Sequence, residues 1–341
     1  MKTKIAVLIP EGDVRASFVP PPVMDELAKL GEVVYNDAGY EPSVMAQLLS
    51  DADICVTGWG CPTLDNNVIS GASRLKLVAH TGGSVAPIVS NDLYERGIII
   101  VSGNELFADS VAEGALAYML AGLRRIPYYN TMVQKGEWRS AGHRNNGLLD
   151  KKVGIVGFGA VSRNLVPLLK SLRVEIMIHC DYLSDEDCHR YGMTRAGSLE
   201  QIFSTCDIVS LHLARTPETY HIINKDLLAL MPDGALLVNT ARGSLIDEHA
   251  LEDELLTGRI HAVLDVYEEE PLPKNSRLRG LDNVILIPHM AGPTDDRRKR
   301  ITLALIEDMK RLLNGEPLKY VIDKDYAARM TNDTLTMKSG K

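Results

Sequence analysis

The chain has 341 residues, 45% of them apolar and 24% charged, which is enough for the cores of about two domains and excludes a disordered segment. Its net charge of −8 opposes binding to nucleic acid or to anionic membrane surfaces. No uninterrupted apolar run approaches the ~18 residues that span a bilayer, and Pro10, Glu11 and Asp13 stop the first apolar run too early for a secretory signal. The five cysteines, Cys55, Cys61, Cys180, Cys188 and Cys206, include no Cys-x-x-Cys pair and no zinc-spaced set. The expectation is reduced, mostly buried thiols in a cytoplasmic protein.

In chain order, runs rich in β-branched residues at 5–9, 54–57, 77–79 and 98–101 alternate with helically spaced segments such as 23–30 and 44–49. An apolar helix is expected at 108–122. Ser110-Val-Ala-Glu113 reads there as a capping box, the hydroxyl and the carboxylate satisfying free N–H groups at a helix start. A second series of strands follows at 153–157, 174–178, 208–211, 235–239, 261–265 and 284–287. Pro293-Thr294-Asp295-Asp296 then opens a last helix with its acids at the positive dipole end. Arg297, Arg298, Lys299 and Arg300 point around that helix and read as a solvated face rather than a nucleic-acid patch. Strands of four to six residues alternating with helices imply βαβ units and parallel sheets, here as two doubly wound α/β domains.

The strand at 153–157 runs into Gly157-Phe-Gly159-Ala160-Val161-Ser162 and then a helix with apolar positions at Val161, Leu165, Leu168, Leu169 and Leu172. Gly157 permits the tight turn. Gly159 lets the backbone approach a pyrophosphate, and the helix start at Ala160 and Val161 offers N–H groups and a positive dipole. Ser162 takes the place of the third glycine, and Pro167 is expected to weaken the helix where it falls. The next strand ends at Asp181, 22 residues past Gly159, the offset of a carboxylate that binds a ribose 2′-hydroxyl. Residues 182–189 contain no Arg or Lys for a 2′-phosphate, so NAD is expected over NADP.

Three more strands end in chemistry-bearing segments: Asn239-Thr240-Ala241-Arg242-Gly243, Asp265-Val-Tyr-Glu268-Glu269-Glu270-Pro271 and Pro288-His289-Met-Ala-Gly292. Ligands of open α/β sheets bind beyond the carboxyl ends of the strands, so an Arg, an acidic cluster and a His can converge there. His212, also at a strand end, is a rival to His289. Together with Ser110–Glu113 and the run from Asp207 to Thr219, these segments resemble the D-isomer-specific 2-hydroxyacid dehydrogenases, the family that includes phosphoglycerate dehydrogenase and glyoxylate/hydroxypyruvate reductase. The resemblance is tight from about residue 104 to 313 and looser before it.

The resemblance implies a Rossmann NAD-binding domain at 109–293 inserted into a flavodoxin-like substrate domain formed by 1–108 and 294–341. It implies an oxidoreductase that interconverts a small 2-oxo acid and its D-2-hydroxy acid, as a homodimer through the crossover helices. Arg242 would clamp the substrate carboxylate and polarise the carbonyl, which suits its planar fork of donors. His289 would exchange a proton with the substrate oxygen. A carboxylate would fix its tautomer and raise its pKa. Any of Glu268, Glu269 and Glu270 suits that part, and the family pattern selects Glu270, before the proline. By the same resemblance Asp265 meets the nicotinamide amide, Leu213 makes a backbone contact, Thr240, Ala241 and Gly292 line the cofactor, and Gly82, Gly83 and Ser84 offer N–H groups to the substrate carboxylate.

The chain departs from the family at Ala86-Pro87, where many members have Asp-Asn, and at Ser102, often Asn. Trp59 either roofs the pocket or packs in the core. Two other readings remain at this point: an NAD(H)-sensing binding protein like the family's corepressor relatives, and a formate-dehydrogenase-like hydride abstractor, in which the His partner is an amide.

Overall fold

Two parallel sheets, one from each series of strands, organise the chain. The computed structural model describes residues 2–140 and 142–334. Among the described residues, one compact unit takes in the chain through Phe107 and again over 293–334; the other is Ala108–Gly292. In the first unit β1 (Lys4–Val7), β2 (Glu32–Tyr35), β3 (Ile54–Thr57), β4 (Leu77–His80) and β5 (Ile99–Ser102) pair in the order β2-β1-β3-β4-β5. In the second, β6 (Lys152–Val156), β7 (Glu175–His179), β8 (Thr194–Arg195), β9 (Ile208–Leu211), β10 (Leu236–Asn239), β11 (His261–Leu264) and β12 (Val284–Leu286) pair in the order β12-β11-β10-β9-β6-β7-β8. Every pairing is parallel.

Strand periodicity decides which side chain meets which helix. Ala6, Cys55, Val78 and Ile100 face Met45 and Leu49, whereas Ile5, Val7, Val56, Leu77 and Val101 face Phe18, Leu27, Leu305 and Met309. The second sheet divides in the same way, with Val209, Leu237 and Leu264 on one face and Ile155, Ile208 and Val263 on the other. Central strands are therefore buried over their whole length. The two strands the sequence pattern did not reveal, β2 and β8, are edge strands: β2 is only partly buried, and β8 is two exposed residues with no apolar side chain.

The long helix α1 runs from Asn104 to Arg124, starting before the expected position. Ser110 is therefore not its cap. It lies inside the helix, buried, with a hydroxyl that has no partner among the described residues. The helix start is met instead by Ser102, whose Oγ accepts from Asn104 N–H at 3.1 Å. At this length and composition α1 passes for a membrane span, but Ala112, Ala115, Met119 and Leu123 pack into the core of the seven-stranded sheet.

Helix α2 (Ala160–Lys170) continues through Pro167, and helix α3 (Asp295–Asn314) opens as expected with Asp295 and Asp296 in its first turn. The basic run is not wholly a solvated face: the Arg298 guanidinium lies 5.2 Å from the Trp59 ring and pairs with Asp295 at 2.8 Å.

Candidate active site

The seven-stranded sheet reverses its strand order between β6 and β9, and the glycine turn sits at that switch point. Gly157 has φ +95°, and a Cβ there would meet the His212 carbonyl oxygen at 2.8 Å and Leu213 Cδ2 at 3.0 Å. Glycine is thus required both by conformation and by the close pass of the β9 loop. Ser162, standing for the third glycine, is fully buried and donates from Oγ to Gly157 O at 2.8 Å, holding the turn to the helix.

The start of α2 carries no side-chain cap, and a Cβ on Gly159 would meet nothing within 4 Å. Free N–H groups beside open space suit a pyrophosphate. Ala160 is buried, Val161 packs partly into the core, and Asp181 stands exposed two residues after β7. The buried Thr240 hydroxyl has no partner among the described residues, and Gly292 opens on free space. These features fit a dinucleotide.

Arg242, Glu270 and His289 follow β10, β11 and β12, and the structure brings them together. His289 Nδ1 lies 2.8 Å from Glu270 Oε2, with the two side chains 47% and 37% exposed. The hydrogen bond that His289 donates to Glu270 raises the His289 pKa above its ordinary value, against burial and the charge of Arg242. Burial works to raise the Glu270 pKa, but the His289 bond, the Tyr267 N–H and the charges of His289 and Arg242 together bring it below its usual value. The sign follows for stability. The raised histidine contributes stability below its unfolded pKa of about 6.5 and loses it as pH rises through the folded value; Glu270 contributes above about 4.3 and loses it as pH falls through its own. Glu270→Gln is expected to move the alkaline limb of any His289-dependent proton donation to lower pH, as read from a pH–rate profile.

The acidic run sorts itself by geometry. Glu268 Oε1 accepts from Tyr220 Oη at 3.0 Å and lies 2.8 Å from His221 Nε2, so it serves another imidazole. Of the three, Glu270 is the one that reaches His289, and it is joined to Pro271 by a cis peptide bond. His212 pairs through Nε2 with Ser210 Oγ at 2.9 Å, and desolvation pulls its pKa down to about 4. A neutral ring bound to a hydroxyl is a poor proton donor near neutrality, which leaves His289 without its rival.

Asn239 and Tyr267 shape this site although the sequence reading gave them no role, and Asp265 has a part beyond the one expected of it. Asn239, fully buried, accepts from Ala241 N–H at 3.0 Å and donates to Arg242 O at 2.9 Å, folding the turn that projects Arg242. Tyr267 donates its hydroxyl toward Leu264 O and Ile287 O, tying the ends of β11 and β12, and its N–H donates to Glu270 at 3.1 Å. Asp265 is buried, and its carboxylate accepts from Met290 N–H at 2.7 Å, Ala291 N–H at 3.0 Å and Tyr118 Oη at 3.2 Å. These bonds clamp the turn that holds His289 at φ +54°, a conformation that persists only where its surroundings impose it. In this structure Asp265 is first of all the holder of that turn.

In the other unit, Gly82, Gly83 and Ser84 follow β4. The Ser84 hydroxyl is taken by Thr331 O at 2.6 Å, so this residue has only its backbone to offer. For Trp59 the packing alternative is the one observed. It packs against Phe18 and Phe107, with ring centroids 4.9 and 5.8 Å away, and remains 39% exposed.

Residues 116–291 match the family model described as "D-isomer specific 2-hydroxyacid dehydrogenase, NAD binding domain". The chain belongs to this family. A D-3-phosphoglycerate dehydrogenase of Methanocaldococcus jannaschii is 34% identical over 298 residues, 87% of this chain and 56% of that one. A hydroxypyruvate reductase of Thermotoga maritima is 30% identical over 78% of this chain and 87% of its own length. Among solved structures, a glyoxylate reductase from Paecilomyes thermophila superposes with a TM-score of 0.78 at 26% identity, covering 95% of this chain and 100% of that one. The chain spans about half the length of the phosphoglycerate dehydrogenases that it matches. The matched family segment contains the glycine turn, Arg242, Glu270 and His289.

Proposed function

We propose that this protein transfers hydride between NAD(H) and a small 2-oxo acid, interconverting it with the D-2-hydroxy acid. The observation that carries this reading is the 2.8 Å pair of His289 and Glu270 within reach of the Arg242 charge, at strand ends of the sheet that bears the glycine turn. Bound NADH supplies the hydride. Because His289 Nδ1 is held by Glu270, Nε2 is the atom that gives a proton to the substrate oxygen or takes it back. Arg242 is the cation for the substrate carboxylate and carbonyl. Contacts of the cofactor fall to Gly157, Gly159, Ala160, Val161, Asp181, Leu213, Thr240, Ala241, Asp265 and Gly292. A carboxylate on His289 tells against a formate-dehydrogenase-like reaction, whose imidazole partner is an amide by the same resemblance.

NAD is favoured over NADP because Asp181 is exposed and its neighbours Asp185 and Asp187 already pair with Arg195 at 3.3 Å and Arg190 at 2.8 Å. Asp181→Ala is expected to weaken NADH binding while leaving NADPH binding unchanged or improved, as measured by fluorescence titration. The same reading places the protein in the cytoplasm, which suits its five free thiols. It makes the protein a homodimer, for which exposed Ile126, Val133 and Trp138 just beyond α1 offer apolar surface.

The reading is tested by following NADH absorbance with glyoxylate, hydroxypyruvate, pyruvate, branched and aromatic 2-oxo acids and phosphohydroxypyruvate. Turnover of at least one acid supports it. NADH binding without turnover of any acid overturns it in favour of a cofactor sensor.

A further inference from the structure

Thr57, His80 and Ser102 stand in one lateral row across the carboxyl ends of β3, β4 and β5. All three are buried polar residues. Thr57 Oγ1 lies 2.9 Å from His80 Nδ1, and burial holds the imidazole neutral, its pKa pulled down to about 4. The other edge of the ring lies under the loop that follows: a Cβ on Gly82 would sit 2.3 Å from His80 Nε2, so no larger residue fits without moving the ring. Ser102 holds the same loop from the side of β5. Its Oγ is 2.5 Å from Gly83 O and 3.2 Å from Gly82 O, while it accepts from Asn104 N–H.

In a trans peptide the carbonyl and the following N–H point in opposite directions. With the carbonyls of Gly82 and Gly83 both drawn to Ser102, the N–H groups of Gly83 and Ser84 point away from it, next to each other. Gly83 and Ser84 are half-buried, yet neither N–H donates to an acceptor among the described residues. Such groups are ordinarily paired, and two adjacent donors turned the same way form an anion cradle.

We infer that Ser102 is a positioning residue for the substrate: its hydroxyl turns the Gly82–Ser84 loop so that the N–H groups of Gly83 and Ser84 receive the carboxylate of the 2-oxo acid, with His80 bracing the loop from beneath. This inference rests on the reaction proposed above. It gives a function to Ser102, a position at which the chain departs from its family.

The test compares wild type, Ser102→Ala and Ser102→Thr in steady-state kinetics with the preferred 2-oxo acid, in binding of oxalate by calorimetry, and in NADH binding by fluorescence. Loss of one orienting hydrogen bond is expected to raise KM and weaken oxalate about 10-fold in Ser102→Ala, with NADH affinity unchanged and Thr restoring both. An unchanged KM and unchanged oxalate affinity in Ser102→Ala overturn the inference. So does a parallel loss of NADH affinity that Thr does not restore, since that marks a merely structural role. If wild type reduces no 2-oxo acid, the reaction itself has failed, and the oxalate titrations still decide the part played by Ser102. Should Ser102→Ala not fold, Ser102→Cys, with its weak donor, is read by the same criteria.

Discussion

Replacing His289 by alanine lowers kcat for 2-oxo acid reduction by about 10²–10⁴-fold, the usual contribution of a positioned general acid. The thermal midpoint hardly moves, because the side chain is 47% exposed and its backbone is held independently by Asp265. NADH affinity also stays near wild type, since the phosphate turn lies after β6 and the histidine after β12. The diagnostic result is therefore a split: chemistry lost, fold and cofactor binding kept. A proportional loss of stability and NADH binding would mean that His289 acts as a structural residue. The pH dependence carries the sign. Proton donation requires the imidazolium, so reduction holds through neutrality and falls as pH rises through the His289 pKa, raised above its ordinary value by the bond to Glu270. Oxidation of the hydroxy acid requires the neutral ring and rises across the same interval.

Gly243→Ala is expected to be at least as damaging, by a different route. A Cβ at this position would fall 1.9 Å from the carbonyl carbon of Tyr267, 2.1 Å from its oxygen and 2.3 Å from Glu268 N. Backbone atoms at such distances cannot swing aside, and the two loops that carry Arg242 and Glu270 must separate. The expected cost reaches or exceeds the ~1–3 kcal/mol typical of overpacking, seen as a lowered melting temperature together with a large fall in kcat. Gly159→Ala provides the contrast: its Cβ meets nothing within 4 Å, so folding is unaffected while the space for the pyrophosphate shrinks and NADH binding weakens. Wild-type melting and activity in Gly243→Ala would show that the close approach has no consequence.

The parallel strands and the strand-end chemistry were legible because both are local: β-branched runs, glycine turns, and an Arg, a Glu and a His directly after their strands. Which glutamate serves His289 was not local. It followed only from the family pattern, and its physical reason lies in Tyr220 and His221, distant in sequence, which occupy Glu268. Ser110 misled because a polar residue three positions before a glutamate looks the same at a helix start as it does inside a longer helix. The row of Thr57, His80 and Ser102 was invisible for a related reason. The lateral register of parallel strands joined by long crossovers is set by packing of the whole sheet and leaves no mark on any one segment.

The proposed reaction is a direct transfer of hydride from NADH to C2 of a 2-oxo acid, on the face that yields the D product. It is tested most directly by supplying NADH deuterated at C4 on either face and determining the label and configuration of the hydroxy acid formed. Deuterium is expected at C2 of the D-2-hydroxy acid from one of the two labelled cofactors. The L product, or an unlabelled product from both cofactors, would contradict it.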